Sequence, residues 1–390
     1  MPALTLPARG NHAGFPRFSP RKAAVPKKTP LFGCRRNKLR VARETIEIES
    51  RSSNGKMVSL EDPETEVSAE TVMDKEEHVT LEQEQQTKRL WKAAIKLPMY
   101  WVAVIPVMVG ASLAFFEYGR VPFLQTTSLV TAAVLIILWL NLSNDAFDAK
   151  TGADEAKPES VVNLTGNRSV VLAGSIVALI AGIGLLATSL GTPNFSTSLG
   201  LLAFSIACGY VYQGPPFRWS YKGLGEPLCF FAFGPSAVTA FFLALSPAAV
   251  NLAHVPMSVW ISSTLVGITT TLVLFCSHFH QHDGDKAVGK LSPIVRLGGT
   301  SPAVEILRWS CKTPFVLLVP TVSAQWLPWT VLVCCGVLAF RSANDLVAFA
   351  VKNHQDLGVI ARLKVVALNL HSSFGLALCL GLVLARTAGL

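Results

Sequence analysis

From residue 98 onward the chain is written in apolar blocks divided by short polar connections. A block of about 20 apolar residues is long enough to cross a bilayer, and such blocks predict spans at roughly 98–116, 122–142, 170–190, 196–213, 227–247, 257–277 and 365–386. Two further stretches are mixed. Residues 302–324 hold Glu305, Arg308 and Lys312 in their first half, which predicts an amphipathic lead-in before a span, and 326–349 hold Arg341 and Asp345 near the end. With both counted, the pattern predicts an all-α multi-pass membrane protein of about nine transmembrane helices.

The chain ahead of these blocks is different. Residues 1–43 carry eleven Lys and Arg with no Asp or Glu, and residues 44–86 carry three and thirteen. A basic, acid-free leader without a secretory apolar core has the composition of an organelle transit peptide, with a retained basic arm as the plainer alternative. The acidic stretch after it has too few apolar residues to offset the entropy of ordering, so disorder is expected. The expected organisation is a transit peptide over 1–50, an acidic disordered linker over 51–90 and a membrane domain over 91–390.

Composition narrows the function classes. With 51% hydrophobic and 15% charged residues, the chain lies well below the roughly 25% charged content of soluble proteins, which excludes a purely soluble enzyme. The net charge of +9 is not a nucleic-acid footprint, because it arises in the leader and at the ends of spans. If nine spans are drawn, eighteen of the twenty Lys and Arg after residue 86 fall on the side of the N-terminus, and only Arg120 and Arg386 fall opposite. Cations gather on the untranslocated side. The eight cysteines are scattered without CxxC spacing and read as core residues.

Seven of the twelve acids in the body fall in two segments that each follow a span. In the first, Asn141, Asn144, Asp145 and Asp148 stand at spacings of three and four, on one face of a helix. Asp154, Glu155 and Glu159 follow. Such oxygens suit a hard divalent cation such as Mg²⁺, and a solvated helix end is the plainer reading. The second segment, Ser277–Lys290, places Gln281 and Asp285 four apart, with His278 and His282 on the same side. A zinc site is disfavoured for want of soft ligands. Two oxygen-rich clusters flanked by Lys150, Lys286 and Lys290 describe a diphosphate site gripped by metal ions and ammonium groups.

At this point the residues resemble a known family. Asn144-Asp145-x-x-Asp148 with Lys150, Gly152 and Asp154 is similar to the first Asp-rich motif of the UbiA superfamily of intramembrane aromatic prenyltransferases. Gly289–Gly298, containing Arg296, resembles the stretch after its second motif. Gly214–Phe217 and Tyr221–Glu226 resemble the loop after its fourth helix. The likeness spans roughly 91–386, and the Ser277–Gln281 and Asn163–Arg168 wording resembles the dihydroxynaphthoate branch in its plastid form. Where most of the superfamily has Asp-x-x-x-Asp, this chain has Gln281-x-x-x-Asp285. The second cation would then lean on Asp283, which lies two steps of about 100° from Asp285, with Gly284 relaxing the helix so that both turn inward.

The resemblance implies a Mg²⁺-dependent transfer of a phytyl or other prenyl group from its diphosphate to 1,4-dihydroxy-2-naphthoate, with decarboxylation, giving a demethylphylloquinone or demethylmenaquinone. It implies Asn144, Asp145, Asp148, Asp154, Asp283 and Asp285 as metal ligands. Lys150, Lys222 and Lys290, with Arg168, would stabilise the leaving diphosphate. Asn144, Tyr212, Tyr221, Gln281 and Arg296 would bind substrate. The expected partners are an isoprenoid diphosphate, an aromatic acceptor and the lipid bilayer, with no nucleic acid. The expected place is a plastid membrane with the site facing the stroma. Another aromatic acceptor (4-hydroxybenzoate or homogentisate) is the alternative within the class. An ion-coupled transporter is the alternative outside it, but its acids would lie at mid-depth, and here they lie at helix ends.

Overall fold

The computed structural model describes residues 81–92, 94–151 and 160–390, and every regular element among them is helical. The leader expected over 1–50 lies outside the described residues, as does the linker as far as residue 80. The end of that linker departs from the expected disorder, because residues 81–92 form an exposed helix. Glu, Gln, Lys and Arg are good helix formers, and Glu84 stands four residues ahead of Lys88, a favourable spacing.

The bundle is built from α1 (Trp101–Tyr118), α2 (Phe123–Thr151), α3 (Arg168–Ser189) and α4 (Phe195–Gln213). Next comes α5 (Gly225–Phe231), which runs through a π-helical turn, Ala232–Ser236, into α6 (Ala237–Leu245). Then follow α7 (Met257–Ser277), the short α8 (His282–Ala287), α9 (Thr300–Ser310), α10 (Thr313–Ser323), α11 (Trp329–Leu338), α12 (Phe340–Asn353) and α13 (Leu363–Thr387). Among the described residues seven helical runs are long and apolar enough to cross a bilayer, or up to eight if the pair α11–α12, bent by 40°, is one span.

The ninth expected span is therefore not found. Residues 302–324 divide at Cys311 and Lys312 into α9, which carries an exposed Arg308–Glu305 ion pair of 3.3 Å, and α10. The amphipathic lead-in is present as a helix of its own. Its apolar continuation, the eleven residues of α10, rises only about 16 Å, roughly half of the hydrocarbon thickness.

Close packing rests on small residues where backbones meet. A Cβ at Gly234 would lie 2.5 Å from the Ser263 carbonyl of α7, and one at Gly110 of α1 would lie 2.8 Å from the Phe241 Cβ of α6. Pro235 has no N–H to continue the α-helical ladder, and the chain passes it in the π turn. With no water in the bilayer core, backbone groups at helix ends need protein partners. At the end of the bundle away from the acidic clusters, Asn194 donates to the carbonyls of Leu243 and Ala248 and accepts from Val250 N–H. Gln125 donates to Ser189 and Ala244. The seven described cysteines are free, six of them buried, as the core reading expects. His371 shares a 2.9 Å hydrogen bond with Thr269 inside the bundle.

Candidate active site

Because spans alternate in direction, α2, α4 and α7 end where α3 and α5 begin, and both acidic segments come to that end. On α2, Asp145 is 3% exposed. Its Oδ1 receives the Lys96 ammonium at 3.1 Å, and its Oδ2 receives the Val161 N–H at 3.0 Å. One carboxylate thus joins the segment before α1, the helix itself and the turn before α3. Lys96 reaches it from a left-handed backbone, φ 52° and ψ 36°, a conformation that costs a non-glycine residue about 1 kcal/mol. Asn144 and Asp148 are half-buried and Lys150 is exposed. Asp154 lies outside the described residues. Arg168, the first residue of α3, donates from Nε to the Ala146 carbonyl at 2.7 Å, so part of its guanidinium holds α3 against α2.

In the second cluster Asp285 is buried, and its oxygens lie 3.2 Å from Lys290 Nζ and 3.4 Å from His278 Nδ1. The other ring nitrogen of His278 lies 3.4 Å from Glu226 Oε1 at the start of α5. The Glu226 carboxylate is otherwise buried without a hydrogen bond. Burial disfavours a charged His278, but the Asp285 and Glu226 carboxylates outweigh it and hold the imidazole above its ordinary pKa. Burial likewise works against an ionised Asp285, and His278 with Lys290 overcomes it, leaving that carboxyl below its ordinary value.

The expectation that Asp283 and Asp285 turn inward together is corrected. The Asp283 side chain is 73% exposed and bonds His282 at 2.8 Å, while Asp285 is buried, as two steps of 100° around a helix require. His278 and His282 part for another reason: α7 ends at Ser277 and α8 begins at His282, so a turn and not one helix joins them, and they pair with Asp285 and Asp283 respectively. Gln281 is half-buried and its carbonyl accepts the Asp285 N–H at 2.7 Å. Lys222 is exposed, and its carbonyl accepts the Arg296 guanidinium, while Leu291 N–H bonds the Tyr221 carbonyl at 2.9 Å. Arg296 thus clamps the loop before α5 to the segment after α8. Lys290 lies over the Tyr221 ring at 5.9 Å.

Between the clusters an apolar cavity of about 240 Å³ enters the bundle. Its polar end is formed by Asn141, Asn144, Tyr212 and Gln213, and its walls reach Ala133 and Phe241. Tyr212 lies within electrostatic range of Glu226, Asp148 and Asp285, which puts it between the two clusters. Tyr221 is not in the cavity wall. Gln213 is buried and donates to the Leu140 carbonyl and Ser143 Oγ, fixing α4 on α2 at the cavity mouth.

Sequence reasoning missed Lys96, Glu226, Gln213 and the central place of His278. Glu226 had a signal, as the lone acid at the head of an apolar run. His278 had one in its nearness to Asp285, whereas Lys96 and Gln213 had none, since their partners are 49 to 73 residues away.

The donors fit a hard cation only in part. The Asp145 and Asp285 carboxylates are already held by ammonium groups, and among the described residues no three His, Cys, Asp or Glu side chains are grouped to hold an ion by themselves. A Mg²⁺ ion that takes one or two carboxylates and completes its shell with phosphate and water suits such a set.

Residues 103–361 match the UbiA prenyltransferase family. The chain is 49% identical over 302 residues to the chloroplastic 2-carboxy-1,4-naphthoquinone phytyltransferase of Arabidopsis thaliana, covering 77% of this chain and 78% of that one. It is 40% identical over 296 residues to the 2-carboxy-1,4-naphthoquinone phytyltransferase of Synechocystis sp., covering 76% and 93%. A solved UbiA homolog from Archaeoglobus fulgidus, bound to DMAPP and Mg²⁺, gives a TM-score of 0.45 at 14% identity over 73% of this chain and 97% of its own. A family match that covers most of the membrane body, joined to 40–49% identity over about three quarters of the chain, means that the chain belongs to the UbiA prenyltransferase family.

Proposed function

We propose that the chain transfers a phytyl or similar prenyl group from its diphosphate to 1,4-dihydroxy-2-naphthoate with loss of the ring carboxylate, in a plastid membrane with the site facing the stroma. The observation that carries this reading is the apolar cavity whose polar mouth lies between two clusters of acids and lysines. Two relatives named for naphthoquinone phytyl transfer, one of them chloroplastic, support the acceptor and the compartment.

Asn144, Asp145 and Asp148 would hold one Mg²⁺, with Asp154, and Asp285 with Gln281 would hold another. Asp283 is left out, because it turns to His282 on the exposed side. When bound, Mg²⁺ would neutralise charge on the diphosphate oxygens. The chain supplies the rest. Lys290, and from the exposed rim Lys150 and Lys222, place ammonium groups where the leaving group gains charge. The cavity excludes water from the allylic cation, which water would quench. Tyr212 faces the acceptor at the mouth. The ring carbon bearing the carboxylate supplies the electron pair for the new C–C bond, and the C–CO₂ bond returns a pair to the ring as carbon dioxide departs. No ring proton has to be removed, so the site needs no nucleophile and no base at that carbon.

The test is to incubate membranes containing the full chain with dihydroxynaphthoate and a series of prenyl diphosphates, with Mg²⁺ and with a chelator. Prenylated product and carbon dioxide in equal amounts, lost on chelation, are expected. Product from 4-hydroxybenzoate or homogentisate in place of the naphthoate would refute the acceptor, and no product from any acceptor would refute the reading.

A further inference from the structure

Prenyl transfer as described leaves one buried acid at the site without a role. Asp145 holds Lys96 and Asp285 holds Lys290. Glu226 meets the His278 ring at 3.4 Å, and both of its carboxyl oxygens are buried without a hydrogen bond among the described residues. A carboxylate kept in this way costs free energy, because the water it gave up on burial has not been replaced. A hydrogen-bond donor brought to it by a ligand recovers that cost.

The carboxylate stands next to the cavity. Glu226 does not itself line it, but Cys229, three residues further along α5 and so on the same face, does, as do Leu228 and Tyr212. A Cβ on Gly225 would lie 2.8 Å from the Tyr212 ring, so the start of α5 rests against that tyrosine. Of the acids around Tyr212, Glu226 acts on it more strongly than Asp148 or Asp285. Glu226 is thus directly behind the wall at its polar end.

Of the two substrates, the prenyl diphosphate brings acceptor oxygens and an apolar tail, and the aromatic ring brings the hydroxyl donors. In 1,4-dihydroxy-2-naphthoate the 1-hydroxyl stands beside the ring carboxylate and donates to it, while the 4-hydroxyl has no partner within the molecule. Resting on the prenyl-transfer reading, we infer that Glu226 accepts a hydrogen bond from the 4-hydroxyl of the aromatic acceptor, beside Tyr212, and is the residue that selects a dihydroxy ring. Like charge turns the ring carboxylate away from Glu226, so the carbon that bears it points into the cavity. The hydroxyl keeps its proton throughout, and no step is added to the reaction. A ring without that hydroxyl is rejected because the buried carboxylate is then left unpaired.

The full chain in lipid vesicles, with Mg²⁺ and phytyl diphosphate, would be given 1,4-dihydroxy-2-naphthoate and 1-hydroxy-2-naphthoate, the second followed by competitive inhibition where it forms no product. Comparing variants on the same two rings cancels the difference in intrinsic reactivity. Glu226→Leu should lower the preference for the dihydroxy ring by about 10–100-fold, the loss of a hydrogen bond to a charged group. Glu226→Gln keeps a neutral acceptor of the same size and should lower it by about threefold or more. Half-saturating Mg²⁺ should not move. An unchanged preference overturns the proposal: equal losses on both rings would make Glu226 a prop for His278, and a raised Mg²⁺ requirement would make it a cation ligand. If Glu226→Leu does not fold, Glu226→Gln decides by the same comparison. No product from the natural chain with the dihydroxy ring overturns the prenyl-transfer reading and this inference with it.

Discussion

Replacing Asp145 by Asn separates the metal role proposed for this carboxylate from the tether it forms with Lys96 and Val161. The side chain is 3% exposed and accepts from both the Lys96 ammonium and the Val161 N–H. Asparagine keeps the volume and the acceptor for Val161 but presents no charge to Lys96. A hydrogen bond to a charged group contributes about 1.5–3 kcal/mol, and the lower end applies because the Lys96 side chain is 25% exposed and regains water. The fold should therefore survive with a stability loss of about 1.5 kcal/mol. Turnover should fall much further, by about 10²–10³, the loss that follows removal of one preorganised electrostatic partner from an active site. The assay is prenyl transfer across a Mg²⁺ titration, with thermal unfolding in the same detergent. Lys96→Gln is the control that decides the cause. It breaks the same ion pair but leaves the carboxylate in place with one oxygen released. If Asp145 serves the metal, Lys96→Gln retains turnover and needs less Mg²⁺. If the two variants lose activity equally at saturating Mg²⁺, Asp145 is a structural tether and its assigned role is refuted.

Three other outcomes are expected. Gln281→Asp adds the charge absent from the second cluster, so half-maximal activity should come at lower Mg²⁺ with equal or reduced turnover, since a tighter ion helps only if the transition state gains more than the ground state; an unchanged requirement places Gln281 on the acceptor instead. In chelator, the stability difference between the natural chain and His278→Gln should be full between the ordinary values of Asp285 and His278, 3.8 and 6.5. His278 is held above its ordinary pKa, so its contribution should fade as pH rises past 6.5 through the raised value; Asp285 is held below its own, so its contribution should fade only as pH falls below 3.8, and a pH-independent difference would sink the triad. Finally, single cysteines at residues 156 and 288 should both react with an impermeant reagent on one side of the membrane and one at 193 should not, and opposite labelling of 156 and 288 would contradict the charge asymmetry.

The sequence by itself determined the class of the protein and the end of the bundle where the two acidic clusters gather. Twenty-residue apolar blocks leave helices as the only outcome in lipid, because each backbone group must be satisfied within its own segment. The spacing of Asn144, Asp145 and Asp148 puts them on one helical face without help from any neighbour. What the tertiary structure decided is what each charge meets. Asp145 finds Lys96 and Val161, and His278 finds Glu226 fifty-two residues away. Neither pairing has a local period to betray it. Asp283 and Asp285 stand two positions apart, so helical spacing sets them on different faces, but only the tertiary contacts with His278 and Lys290 decide which of the two is buried. The count of nine spans was not confirmed for a similar reason. Hydropathy registers the apolar content of 302–324 but not the break at Cys311 and Lys312, where the amphipathic half turns to satisfy its own charges at the bundle surface. Periodicity within a helix is a local property, whereas the partner of a buried charge is settled by which helices stand side by side.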